Sequence, residues 1–406
     1  RFLSITNWKD FVENTSKVEA ILRQDIEGVY GRMDFYTRDQ YRHAIEKIAQ
    51  SSNFSEQEVA ERVIQNAREN AAPGLDPRLS HIGYYLTGKG YAATVKATNA
   101  RTGLFEKLRT NSKPLMWYLG GIALITFLIS WLLIEQAAKE NLSNVLLFLV
   151  FGVSLLTSTR LAVSIVNWLS SVLISPRLLP RMDYSKGIPN ESGTMVVIPT
   201  LITDFSTIED LVEGLEVRFL ANRGANIYFA ILSDFKDAEA EQLPEDDSLI
   251  HEIKNRIIEL NKKYGNTYRD PFFLFHRPRR WNAYDKIWMG YERKRGKLGE
   301  LNALLRGRGS HFFTEIVGDT SCFSSIKYII TLDTDTQLPR DTAWKMIGTM
   351  AHPLNHPFFD EKKKRITKGY GILQPRVGNS LPGADSSFYA RLFGNELGID
   401  PYTRAI

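Results

Sequence analysis

The sequence predicts an α/β domain with a mostly parallel sheet and flanking helices, preceded by an all-α region and a two-helix transmembrane hairpin. Three observations carry that expectation. From Thr194 onward, short apolar runs alternate with helix-like stretches, the pattern of strands joined by helical crossovers. Leu115 to Ile134 is twenty residues without a charge, enough to span a bilayer core as a helix, and Leu142 to Thr159 is a second uncharged run. Tyr328-Ile329-Ile330-Thr331-Leu332 reads as a buried strand and ends in Asp333-Thr334-Asp335, two carboxylates one residue apart. The boundaries that follow are 1–110 for the helical region, 111–175 for the hairpin and 176–406 for the α/β domain.

Taken in order, Trp8 to Arg23 carries Phe11, Val12, Val18, Ile21 and Leu22 among charges, an amphipathic helical pattern. Thr37-Arg38-Asp39-Gln40 resembles a capping box ahead of a helix over 41–49. Ser55 opens another helix that Ala72-Pro73-Gly74 stops. No catalytic constellation lies here, and the region reads as a scaffold or docking domain. Trp117, Tyr118 and Trp131 resemble interfacial aromatics at the ends of the first span. Arg160 interrupts the second apolar stretch. An arginine at bilayer centre is costly, so Leu161 to Ile174 is expected as an interfacial amphipathic helix ended by Pro176, with one long tilted helix as the alternative. Arg101, Lys107, Arg109 and Lys113 before the first span, and Arg177, Arg181 and Lys186 after the second, predict that both flanks lie in the cytosol.

In the α/β part, strands are expected at Thr194–Ile198, Ile227–Leu232, Pro271–His276, Tyr328–Leu332 and, as a fifth, from Gly371 to Leu373. Helices are expected over 208–220, 249–264 and 298–305. Polar groups recur where these strands end. Pro199-Thr200 follows the first, Asp234 the second, Asp333 and Asp335 the fourth, and Gln374-Pro375-Arg376 the fifth. Open α/β sheets bind ligands at that edge. Paired carboxylates there suit Mg or Mn, although Asp and Thr also favour ordinary polar turns. Arg293, Lys294, Arg295 and Lys297 precede an apolar helix start, an arrangement that points cations and amides at an anion such as phosphate. Lys297 is expected to face that anion, and Lys294 to be a solvent-screened surface cation.

Composition narrows the classes. The chain has 406 residues, a net charge of +5 and a pI near 9.0, which fits a membrane-surface protein or a binder of anionic nucleotides without arguing for nucleic acid. One cysteine, Cys322, excludes an intrachain disulfide framework and a cysteine metal cluster. His352 and His356 have zinc-like spacing, but each precedes a proline, which argues against the helix such a pair needs. Trp281 and Trp288 are available to stack on sugar rings, though packing is the commoner fate of tryptophan. The start at Arg1 without a signal peptide and the end at Ile406 read as a segment of something longer.

Asp234, Asp333-Thr334-Asp335, Lys297-x-Gly299-x-Leu301-Asn302 and Gln374-Pro375 together resemble the motif series of processive, membrane-bound GT-A glycosyltransferases of the cellulose-synthase type. More closely, the chain is similar to the N-terminal glycosyltransferase region of bacterial cyclic β-1,2-glucan synthases. That likeness rests on Trp288 to Leu298, Leu332 to Pro339, His352-Pro353-Leu354-Asn355 and Gly371 to Val377, and extends to Tyr30–Arg42 and to Gly398–Thr403. The resemblance implies a GT-A fold in the inner (cytoplasmic) membrane. It implies inverting transfer of glucose from UDP-glucose to a growing glucan, with Mg or Mn, and cyclisation by other domains of a longer polypeptide. It would make Pro199, Thr200, Asp234, Lys297, Asp333 and Asp335 donor-binding, with Asp333 and Asp335 on the metal. Gln374, Pro375 and Arg376 would lie on the acceptor or product side. The catalytic base and the Gln-x-x-Arg-Trp motif of such enzymes do not occur before Ile406, so the base is expected beyond this segment, which is then incomplete alone. Two other readings are a β-1,4-type processive synthase and a non-catalytic nucleotide-sugar-binding module.

Overall fold

A computed structural model describes residues 8–72, 74, 76–101, 114–140, 142–173, 178–268 and 270–375. Lys107, Arg109, Lys113, Pro176, Arg177, Arg376 and the 398–403 motif lie outside the described residues. The chain divides into two compact units. One comprises Arg1–Lys9, Glu27–Gln40 and Pro180–Gly371; the other comprises Asp10–Ile26, Tyr41–Leu179 and Ile372–Ile406.

In the second unit the expected amphipathic helix is two helices, Trp8–Thr15 (begun in the first unit) and Lys17–Leu22, because Ser16 breaks out to cap the second by accepting from the Glu19 amide. Buried Glu19 pairs with Arg42 at 2.6 Å. The Glu56–Glu69 helix opens on a full capping box between Ser55 and Glu58. Two long apolar helices follow, Pro114–Lys139 and Asn144–Leu173, both long and apolar enough to cross a membrane. Their facing surfaces carry buried Thr126, Ser130, Ser154 and Ser158, small residues that permit close helix approach, and the Tyr118 hydroxyl donates to Asn167 at 2.9 Å. The remaining apolar surface, including Phe127, Trp131, Phe148 and Leu156, is uncovered and points to membrane association. The second helix runs unbroken through an exposed Arg160, where a separate interfacial helix was one expectation. Nothing between Arg160 and Leu173 removes a backbone donor, so the ladder simply continues.

The first unit holds a five-stranded mixed sheet in the order β6–β3–β2–β1–β7: β1 Gly193–Ile202, β2 Ile227–Phe235, β3 Phe272–Arg277, β6 Glu315–Val317 and β7 Ile326–Thr331. β1, β2, β3 and β7 are parallel and only β6 is antiparallel, so the expected α/β class holds. Two small hairpins flank it, β4 Arg280–Asn282 with β5 Ile287–Met289, and β8 Phe358–Asp360 with β9 Arg365–Lys368. β2 and β3 are buried along their whole length, as expected of strands covered on both faces. One face packs Leu211, Leu215 and Phe219 of the Phe205–Asn222 helix and Ile253 and Ile257 of the Asp246–Tyr268 helix. The other packs Leu301, Leu304 and Leu305 of the Arg293–Leu305 helix.

Further elements depart from expectation. The helix expected over 41–49 runs Phe35–Gln50, with Asp34 accepting from the Thr37 amide, so Thr37 lies inside it. Gly371–Leu373 is not a strand; the fifth sheet member is β6, which at three residues is too short for sequence periodicity to register. The Arg293–Leu305 helix begins five residues early and takes the cation run into its first turns. Residues 27–40 do not belong with the helical region. Met33 bridges Met182, the Asp183 amide donates to Arg32 O at 2.8 Å, Asp34 pairs with Arg181, and His352 Nε2 lies 3.0 Å from Met33 Sδ.

Candidate donor site at the sheet edge

Because β1 is parallel to β2 on one side and to β7 on the other, the carboxyl ends of all three meet at one edge. The β7–β1 ladder ends at the pair Val197–Thr331, after which the Leu332 amide still donates to Val197 O at 3.0 Å. In an extended strand residue 199 directs its backbone the same way as 197. Pro199, which has no N–H, therefore stands on the side β7 has vacated, and β1 continues along β2 as far as Ile202 instead of stopping at the proline.

Asp234 lies within β2 opposite Leu201 and is only 1% exposed. Arg277, its β3 neighbour, donates to both carboxylate oxygens at 2.7 and 2.9 Å and to Glu300 at 2.7 Å. Lys297 Nζ is 3.0 Å from Asp234 Oδ2 and donates to Thr200 O at 2.5 Å. A side chain at Gly290 would put a Cβ 2.3 Å from Asp234 Oδ2, so glycine is what lets this turn lie against the carboxylate. Burial pushes the Lys297 ammonium pKa down, and the charge of Asp234 opposes that shift. Beside the network, burial pulls the His276 imidazole down to about 3, while its Nδ1 lies 2.9 Å from Ser233 Oγ. Asp234, Lys297 and Thr200 are thus brought together, their charges engaged with one another.

Asp333 and Asp335 behave differently. Both are exposed on the loop that leaves β7. Buried Arg218 fixes that loop by donating to Thr334 O at 2.6 Å and to Thr336 O at 2.8 and 3.1 Å. Lys294 reaches across and pairs with Asp333. The cation run is therefore divided by helical periodicity. Lys297 joins Leu301 and Leu304 in the core, while Lys294, one turn earlier on the same stripe, passes beyond the sheet edge. Arg293 pairs with Asp237 at 2.6 Å and Arg295 with Glu292 at 2.7 Å.

Sequence reasoning missed Arg218, although a signal existed: a cation at the 211, 215, 218, 222 spacing of an apolar stripe. Among the described residues no group of three or more His, Cys, Asp or Glu side chains gathers to hold a metal. Two open carboxylates nevertheless fit a hard cation of the Mg type, which binds through one or two carboxylates and completes its shell with phosphate and water. Gln374 and Pro375 are exposed, outside any strand and in the other unit. Trp281 and Trp288 face one another across the β4–β5 hairpin with ring centroids 5.8 Å apart, Trp281 remaining half exposed.

No protein-family model matches the chain. It is 34% identical over 411 aligned positions to cyclic beta-(1,2)-glucan synthase NdvB of Rhizobium meliloti (strain 1021), an alignment that covers 99% of this chain and 14% of that protein. The chain therefore spans about one seventh of its relative's length. Identity at this level along nearly every residue makes the chain a relative of one segment of a cyclic β-1,2-glucan synthase.

Proposed function

We propose that this chain forms the donor-binding part of a membrane glucosyltransferase that takes glucose from UDP-glucose and extends a β-1,2-glucan with inversion. The observation that carries the reading is the exposed Asp333–Asp335 pair, held by Arg218 at the carboxyl edge of a parallel sheet. Asp333 and Asp335 hold Mg or Mn in this reading. The metal supplies neutralisation of the donor diphosphate on binding and on departure. Asp234, Lys297, Pro199 and Thr200 form the floor beneath the nucleotide, with the Arg277 and Lys297 cations balanced by Asp234 and Glu300 so that the floor adds little net charge. Gln374, Pro375 and Arg376 serve the acceptor or product side, and the general base that takes the acceptor hydroxyl proton comes from outside this chain.

In this reading the protein belongs to the bacterial inner membrane, with the α/β unit in the cytosol, where UDP-glucose is available; the two long apolar helices support it. Its remaining partners are the growing glucan and other domains of a longer polypeptide. The test is transfer from labelled UDP-glucose by the full-length, membrane-reconstituted protein, with product linkage determined. Asp335→Asn is expected to lower metal-dependent transfer by about 100-fold, comparable to loss of one preorganised electrostatic contact. Wild-type turnover in that variant overturns the donor-site assignment, and a β-1,4 product overturns the linkage.

A further inference from the structure

Lys294 has no role in the reading above, yet its ammonium rests on a carboxylate that the reading gives to metal. Its backbone is firmly placed. The helix it opens is entered through two successive non-glycine residues in the left-handed region, Glu292 at φ 53 and Arg293 at φ 48. Such backbone persists only where its surroundings over-determine it. Here they do: Gly290 lies against Asp234, and a Cβ on Gly296 would come within 2.1 Å of Tyr291 O. The side chain, by contrast, is loosely held. The Lys294 and Asp333 side chains are 51% and 61% exposed, and an ion pair that open to water is worth little and exchanges easily. Its neighbours in the run are otherwise engaged: Arg293 with Asp237, Arg295 with Glu292, and Lys297 inside the core.

We propose that Lys294 is an exchangeable counter-ion. It neutralises Asp333 while no divalent cation is bound, yields the carboxylate when metal and nucleotide diphosphate arrive, and then pairs its ammonium with that diphosphate. A lysine suits this exchange because it is a compact charge on a flexible stem. No bond is made or broken and no proton moves; one anion replaces another at the same ammonium. As sugar transfer leaves additional negative charge on the departing diphosphate, an ammonium already beside it favours departure. This inference rests on the donor-site reading.

The test measures binding on the full-length, membrane-reconstituted protein by titration calorimetry, first with Mn alone and then with UDP at saturating Mn. Lys294→Met is expected to bind Mn alone about threefold more tightly, because a competitor for Asp333 is gone. It is expected to bind UDP–Mn about tenfold more weakly, and Lys294→Arg to restore most of that loss. Unchanged Mn and UDP affinities in Lys294→Met, with UDP–Mn binding abolished in Asp335→Asn, overturn the counter-ion role and leave the donor site standing. Undiminished UDP–Mn binding in Asp335→Asn overturns both.

Discussion

Asp234 and Asp333 stand at the same edge of one sheet, separated by a single strand, and meet water in opposite ways. Asp234 is 1% exposed and has both oxygens committed to Arg277 and Lys297. Asp333 is mostly exposed and meets one half-exposed lysine. A buried carboxylate that gave up either partner would leave an uncompensated charge in a medium of low dielectric, so its partners are fixtures. An exposed carboxylate gives up a lysine at almost no cost, so its partner is replaceable by a metal ion. An aspartate's suitability for exchange chemistry thus follows from its solvation more than from its place in a motif.

Substitutions at the two positions should separate these behaviours. Asp234→Ala strips buried Lys297 of its carboxylate and leaves Arg277 to Glu300, and is expected to destabilise the α/β unit by about 3–5 kcal/mol, read by denaturant unfolding; a loss near zero would mean the network is already wet. Asp335→Asn is expected to shift unfolding by no more than about 0.5 kcal/mol while transfer falls, since exposed substitutions rarely alter stability. Arg218→Met frees the loop carbonyls and is expected to weaken Mn binding about threefold to tenfold, because one charged hydrogen-bond donor is lost from the loop that carries both aspartates. Unchanged Mn affinity would detach Arg218 from the site.

The last comparison concerns His276, whose effect is confined to acid pH. Its pKa falls to about 3 in the fold, against about 6.5 in an unfolded chain. Above pH 6.5 the imidazole is neutral in both states and contributes no pH dependence. Below it the unfolded chain alone takes up the proton, so stability declines as pH falls from 6.5 toward 3, at up to about 1.4 kcal/mol per pH unit. His276→Gln should flatten that part of the stability–pH curve. An unaltered slope would show that other groups set it.

Legibility followed the range of the interaction. The strands and helices around the core were readable because Ile, Val and Phe repeat with the period of each element, and Asp333-x-Asp335 was readable as a strand end. The relation within the Lys294–Lys297 stripe was not, because the start of the helix depends on a left-handed turn that Glu292 and Arg293 do not announce. Position at the expected helix start therefore favoured Lys297, whereas the fold sends Lys297 inward and Lys294 to the acidic loop. Arg218 acts on carbonyls 116 and 118 residues further along the chain, so the apolar stripe that marks it as buried does not say what it meets. The same holds for residues 27–40, which look like any other helical stretch until Asp34 meets Arg181.

That last segment carries a counting argument. Residues 27–40 precede both long apolar helices and Pro180–Gly371 follows them, yet they close into one fold through Arg32, Met33 and Asp34. A polypeptide whose two ends of a loop are joined on one side of a barrier must traverse that barrier an even number of times between them. Zero or two traversals satisfy this parity, and one or three do not, whichever way charges in the flanks would orient the helices. If the two helices each cross the membrane, cysteine probes at 136–140 are labelled from outside intact cells while probes at Lys186 stay protected; labelling that separates Lys186 from residues 27–40 would break the parity. Chain order also sets an order of events during synthesis: the α/β unit cannot finish folding until both apolar helices, which separate residues 27–40 from Pro180–Gly371, have been made.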